Sequence, residues 1–498
     1  MTLQTTSTAQ WSLVIHRVTE STVEIWVGTL FPTLKMPESA KVELTDSKGN
    51  KVATKTINKQ QWQRPFSKLK QRFYALVTFT GLPADKRFNV SFTRKVNALE
   101  DVIDNHWQTV KTGEFETLPK RIPLAGKKPF TIAIGSCFYN HRDGGSAAAA
   151  YNALYEHGNE KDKPSICFLT GDQVYLDIGF DSLSLKTDEI RQRIADDYAL
   201  HWQSLGSILS KGATWMLPDD HEYWNDYPFY KTIIPQLAAL RISRVRKAWD
   251  ETAKDGVNNV QRSAQVEHFT IGNDLSVCLA DFRSYRDDNG FISEPLFKKV
   301  SNWATSLTSP GVLVIPQPLI VGENPTEKNL RSYPDQYERL LAALASTGHD
   351  VVLLSGDVHF GRISSTELGS GGAKLIEVIS SPLSNLTYLN GIATTKAEVK
   401  PKNFPDSKTA KANNWKAKPV NYYNKAYTVD SESGSWFSAY PKARTKEHFM
   451  TLGFTRNTTG TLDLTVKAWS VREPKGSKQL PSNAFYRDKK KQFKIKLT

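Results

Sequence analysis

Apolar and polar residues alternate with period two over Trp11–Ile15, Val23–Val27, Lys41–Leu44, Phe73–Phe79 and Phe88–Phe92. A two-residue period puts every second side chain on one face, which predicts half-buried strands. The turn residues Gly81-Leu82-Pro83-Ala84-Asp85 separate the last two. Short strands at this spacing predict a β-sandwich of immunoglobulin or fibronectin type over residues 1–120. The stretch from Leu118 to Pro129 is rich in Pro, Gly and Lys and reads as a linker.

After Pro129 the pattern changes. Nearly continuous apolar runs occur at Phe130–Ile134, Ile166–Leu169, Leu275–Leu279, Val351–Leu354 and Leu375–Ile379. Between them lie helical patterns from Ser146 to His157 (with Ser146 as N-cap), Asp188 to Ser210, Gln236 to Lys254 and Gln336 to Ser346. Strands apolar on both faces and joined by helices predict a layered α/β core over residues 121–445. The stretch from Gly391 to about Lys446 has little periodicity and reads as loop-rich. Strands return at Met450–Phe454 and Leu462–Val466, joined by Asn457-Thr458-Thr459-Gly460, and at Gln492–Leu497. Residues 446–498 are therefore expected to complete the sheet of the core.

Composition narrows the class. With 39% hydrophobic and 23% charged residues in 498, the chain can bury a large core, and neither collagen nor a disordered chain fits. No apolar run reaches the roughly 18–20 residues of a membrane span. The start lacks a basic end followed by an apolar stretch, so no signal peptide is expected. That points to a cytoplasmic protein or to the mature form of an exported one. Three cysteines make no disulfide framework. Cys167 and Cys278 sit inside apolar runs as small hydrophobes, while Cys137 stands at a strand end. The net charge is +14, and residues 391–498, with 22 Lys and Arg against 8 Asp and Glu, account for all of it. Such a region would attract nucleic acid or another anionic surface. Its other reading is a solvated basic face. The tight cluster is Lys489-Lys490-Lys491.

The chemistry lies at the strand ends. The runs end in Gly135-Ser136-Cys137, in Gly171-Asp172-Gln173-Val174-Tyr175, in Asp219-Asp220-His221-Glu222 after the short run Ala213–Leu217, and in Gly356-Asp357-Val358-His359. Alone, a Gly-Asp after a strand is a turn, an Asp-His pair a surface pair and a strand-end Cys a packing residue. Ligands of open α/β proteins bind at the carboxyl ends of strands. Four strand ends that deliver thiol, phenol, carboxylates and imidazoles predict one shared metal site.

In this order the motifs resemble those of the PhoD-type alkaline phosphatases of the calcineurin-like metallophosphoesterase superfamily. Ala280-Asp281-Phe282-Arg283-Ser284-Tyr285-Arg286 resembles a further family segment, with Phe282 in place of Thr. The resemblance covers about residues 11–383 and implies a metallophosphoesterase-type layered α/β-sandwich. It further implies that Asp172 bridges two metals and that Tyr175 and Cys137 bind iron. Asp220, standing where the superfamily has Asn, would bind the second metal, with His221 beside the scissile phosphate. Asp357 and His359 would be ligands, Asp357 replacing the first His of Gly-His-x-His. The implied cofactors are Fe3+ and Ca2+, with other divalent metals as alternatives. The family's frequent Asn-Asn is here Asn225-Asp226, so Asn225 is carried only as an additional metal or phosphate contact. No amphipathic C-terminal helix of the kind that gates the site in this family is evident.

These residues suit hydrolysis of phosphate esters, mono- or diesters, by a metal-activated hydroxide. His221 is the candidate donor to the leaving oxygen. Arg283 is a candidate phosphate clamp, since a guanidinium forks onto phosphate oxygens; a structural salt bridge is its other reading. Two alternatives stand beside this one. They are a diesterase preferring nucleic acid or phospholipid, and a non-catalytic polyanion-binding protein on the same fold.

Overall fold

The computed structural model describes residues 8–96, 106–178, 184–230, 235–321, 328–369, 371–387, 400–412, 414–423, 429–432, 434–435, 444–472, 480–485 and 492–498. Lys489-Lys490-Lys491 and much of the stretch expected to be loop-rich lie outside them.

The first part of the chain forms two antiparallel sheets. One has the order β1 (Trp11–Val18), β2 (Val23–Thr29), β5 (Phe73–Phe79). The other has the order β4 (Lys51–Asn58), β3 (Ser39–Asp46), β6 (Arg87–Val96), β7 (His106–Glu116). β4 and β7 were not expected. β4 is exposed at six of eight positions or nearly so and carries too few apolar residues to show a pattern. Trp11 of β1 lies 5.3 Å from Phe92 of β6, ring to ring, so apolar side chains of the two sheets meet.

Two six-stranded sheets follow. The first runs β10 (Ala213–Leu217), β9 (Ile166–Thr170), β8 (Phe130–Gly135), then the strands His448–Arg456, Leu462–Ser470 and Phe493–Leu497. β8, β9 and β10 are parallel; His448–Arg456 pairs antiparallel with β8, Met450 opposite Ile134. The second runs β11 (Val266–Ile271), β12 (Leu275–Ala280), β13 (Gly311–Val314), β14 (Val351–Ser355), β16 (Lys374–Ile379), β15 (Arg362–Glu367). Here β12, β13, β14 and β16 are parallel and the edge strands antiparallel. Alternate residues of both sheets, Ile132, Ile134, Ile166 and Phe168 against Val277, Leu279, Val312 and Leu354, share one core. Their intervening residues face outward to helices: Ala133, Cys167 and Leu169 with the helices Ser146–Glu156 and Thr187–Ser210, and Cys278, Leu313 and Leu353 with Glu294–Thr305 and Pro334–Ala345. Strands clothed on both sides explain the continuous apolar runs.

Three details correct the expectations. Gly145, in the left-handed region at φ 81°, takes the N-cap position, and Ser146 is the first helical residue. The pattern from Gln236 to Lys254 splits into a 3-10 helix, Pro235–Arg241, and an α-helix, Ser243–Asp255. The helix Glu294–Thr305 and the strand β13 were unforeseen; β13 is a four-residue run, too short to show a period.

Candidate metal centre

Every parallel strand of the two central sheets ends at one edge. Cys137 follows β8, Asp172 and Tyr175 follow β9, and Asp219, Asp220 and His221 follow β10. Asp281 and Arg283 follow β12, Gln317 follows β13, Asp357 and His359 follow β14, and Ser381 and Asn385 follow β16. Ligand atoms of Cys137, Asp172 and His359 lie within 4.8 Å of one another, as do those of Asp172, Asp220 and His221, and of Asp219, Asp220 and Asp357. The three groups share Asp172 and Asp220 and so form one cluster.

The turns that bring them together are tight. Cys137 (φ 56°), Asp172 (φ 56°), Asp357 (φ 67°) and His359 (φ 50°) all adopt left-handed backbone, which is uncommon outside glycine. Such conformations persist where the surroundings enforce them, and they concentrate at functional sites. Gly356 allows the close approach of two turns, since a Cβ there would stand 2.2 Å from the Ser136 hydroxyl. Gly171, at φ 102°, leaves room for Asp219 in the same way.

A carboxylate beneath the cluster ties two of these turns. Glu222 is fully buried and accepts from the backbone N–H groups of Asp172 (3.0 Å), Gln173 (2.6 Å) and Asp219 (2.9 Å), and from Gln261 Nε2 (3.1 Å). Burial raises its pKa to about 7 against those hydrogen bonds. Glu222 therefore fixes the turns after β9 and β10 and has no free oxygen for a metal.

Electrostatics favour a cation. Burial, and then the neighbouring Cys137, raise the Asp172 pKa well above the carboxylate range. Burial likewise raises that of Asp219, although Arg283 opposes it. Burial pushes the Cys137 thiol up to about 12, against a hydrogen bond from Ser381. These shifts measure the cost of holding negative groups together in a poorly solvated place. Arg283, His221 and Arg286 are the positive groups that act on these carboxylates. A donor set of carboxylates, imidazole, phenol and thiol fits metal ions on both charge and chemistry.

Four residues that the sequence reading passed over shape the site. Asp177 lies 2.7 Å from His221 Nδ1 and also accepts from Asn225 N at 2.7 Å. Burial alone would depress the His221 pKa, but Asp177, Asp172 and Asp220 outweigh it and hold the ring charged well above its usual range. The Tyr175 ring packs 4.4 Å from the His221 ring, and its hydroxyl lies 3.4 Å from His359 Nε2. Gln317 donates to Asp357 at 3.1 Å. The Ser381 hydroxyl lies 3.1 Å from Cys137 Sγ and accepts from His359 N at 3.2 Å. Asn385 Oδ1 lies 3.1 Å from His359 Nδ1, which leaves Nε2 for the cluster. Asp177 stands two residues past Tyr175, and Ser381 and Asn385 follow the run Leu375–Ile379; the strand-end rule covered both places.

Two further expected residues are held by carboxylates of the site and its surroundings. Arg283 is 1% exposed; its Nε donates to Asp219, its Nη1 to Tyr227 O at 3.2 Å, and its Nη2 lies 3.8 Å from Asp220. Burial works against its charge, but Asp219 and Asp220 outweigh it. Arg283 thus forms a buried ion pair with Asp219 and lies beside Asp220. The Asn225 side chain donates from Nδ2 to Asp226 at 3.1 Å, and its backbone N–H donates to Asp177.

No family model matches the chain, and no curated protein matches it. Among solved structures, a purple acid phosphatase from yellow lupin (Lupinus luteus) seeds superposes with a TM-score of 0.51 at 10% identity, over 92% of this chain and 72% of that one. The chain thus shares the fold of that protein. A β-glucuronidase from Parabacteroides merdae matches over 92% of this chain and 69% of its own at a TM-score of 0.25 and 8% identity, too loose to carry an argument. No helix of the described residues is long and apolar enough to cross a membrane.

Proposed function

We propose that the protein hydrolyses phosphate esters with metal ions held by Cys137, Asp172, Tyr175, Asp220, Asp357 and His359, as a PhoD-like phosphatase. The observation that carries this reading is the convergence of the turns after β8, β9, β10 and β14 on three linked groups, the ligand atoms within each group lying within 4.8 Å of one another. Cys137, Asp172 and Tyr175 suit a strongly Lewis-acidic ion such as Fe3+, which favours phenolate and thiolate, and Asp219, Asp220 and Asp357 an oxygen-seeking one such as Ca2+. Ions bound there would neutralise the ester oxygens and lower the pKa of a bound water. His221, held charged by Asp177, gives its proton from Nε2 to the leaving oxygen. Arg283 keeps Asp219 and Asp220 in place, and Ser381 and Asn385 do the same for Cys137 and His359. On this reading residues 1–120 are an immunoglobulin-like leading domain, 121–445 the catalytic domain and 446–498 its closing strands.

The test is elemental analysis of the purified protein with hydrolysis of p-nitrophenyl phosphate and bis-p-nitrophenyl phosphate before and after chelation. Bound metal is expected, with turnover of at least one ester that is lost on chelation and restored by metal. Metal-free protein that turns over neither ester, even after metal is added, would overturn the proposal.

A further inference from the structure

The helices cover only part of the first central sheet. On the strands His448–Arg456, Leu462–Ser470 and Phe493–Leu497, the residues between those facing the core are Thr451, Gly453, Thr455, Asp463, Thr465, Lys467, Lys494 and Lys496. The loops around Lys127 and Lys161 wall this face into a recess of about 290 Å3, which Lys467, Lys494, Thr455 and Thr465 also line. Four lysines thus arrive from four separate places in the chain: the linker before β8, the loop before β9 and two C-terminal strands. Lys496 follows on the same face of its strand and is exposed. Among the described residues the carboxylate lining the recess is Asp162, and it pairs with Lys467. Among the described residues no ion pair engages Lys127, Lys161, Lys494 or Lys496. Like charges in a concavity repel one another and concentrate anions there.

We infer that this recess is a binding site for linked phosphates, of the triphosphate class. The lysines supply point charges, which neutralise phosphate without a fixed fork. Thr455 and Thr465 supply hydroxyl donors. Among the described residues no aromatic ring lines the recess, so they offer a nucleic-acid base no stacking platform there. The site lies at the start of β8, beside Thr131, whereas Cys137 lies past its end; six extended residues span roughly 20 Å. It is therefore distinct from the metal cluster, and binding there does not depend on the proposed hydrolysis.

Isothermal titration of the full-length protein with sodium tripolyphosphate, with ATP and with sulfate at matched ionic strength tests this. The double variant Lys161→Glu/Lys494→Glu is expected to bind tripolyphosphate at least tenfold more weakly than the wild type. Its p-nitrophenyl phosphate turnover and Tm should be unchanged. The single variants Lys494→Gln and Lys161→Gln, milder at the surface, should each give an intermediate loss. Tripolyphosphate binding alone would mean an inorganic ligand, and equal binding of ATP a nucleotide. Double-variant affinity within twofold of the wild type, or sulfate binding as strongly as tripolyphosphate, would overturn the inference. Because the readout is affinity, it stands or falls separately from the hydrolase reading.

Discussion

Cys137 is in a place where a packing cysteine has little reason to be. It sits in left-handed backbone, 3.4 Å from an Asp172 oxygen, with a hydroxyl turned toward its sulfur. Burial raises its pKa, so only a bound cation would draw out the thiolate. On the proposed reading, in which Tyr175 and Cys137 share a ferric ion, the purified protein should absorb visible light by ligand-to-metal charge transfer. Cys137→Ser should remove part of that band and lower iron content; an unchanged spectrum and metal content would return Cys137 to packing. The pair Asp177–His221 makes a second prediction. His221→Ala should cost roughly 10²–10⁴ in kcat on an ester with a poor leaving group and far less on p-nitrophenyl phosphate. Asp177→Asn removes the leading support of the imidazolium. The high-pH limb, where activity falls as His221 loses its proton, should therefore move to lower pH. A pH–rate profile that does not move would show that Asp177 acts only as a structural acceptor for Asn225.

At the scale of elements, the helix Thr187–Ser210 was legible because Ile190, Ile194, Tyr198, Trp202, Leu205 and Leu209 recur three or four residues apart and are buried. His201 on that helix was not, because its burial depends on what packs above it. Its Nδ1 lies 2.7 Å from Asp197 O, and burial depresses its pKa to about 4. The unfolded chain takes up a proton near pH 6.5 that the folded chain refuses until about pH 4. His201 therefore costs stability as pH falls through that window, at about 1.4 kcal/mol per pH unit. In urea unfolding at pH 7.5 and pH 5, His201→Asn should lose ground at the first pH and regain part of it at the second. A stability gap independent of pH would show that His201 is protonated in the folded protein.

At the scale of the molecule, the first central sheet is assembled from both ends of its span of chain. β8 lies between β9, 31 residues further on, and His448–Arg456, more than 300 residues further on. The last strand pins this arrangement: Phe493 and Leu497 are buried, and Thr498 N donates to Asp350 at 3.0 Å, joining it to the second sheet. Deleting residues 493–498 should cost roughly 3–6 kcal/mol from those two side chains alone. Circular dichroism melts should show a lowered Tm with one cooperative transition. An unchanged Tm would mean that the strand contributes nothing to the sheet.

What the sequence determined by itself is local. Period-two and continuous apolar runs specify which strands have one buried face and which have two, because side-chain direction alternates along a strand. The residues after Gly135, Gly171, Leu217 and Ser355 were visible as chemistry because turns sit next to the runs that end in them. What only tertiary structure decided is which of these groups face one another. Nothing along the chain pairs Arg283 with Asp219, 64 residues away, yet the fold sets them against each other. Asn385 and Ser381 look like ordinary loop residues until His359 and Cys137 are beside them. Four lysines become a recess only when the strands that carry two of them join the sheet of β8. Contacts of this kind depend on sheet order and on the meeting of two sheets, and no periodicity along the chain encodes either.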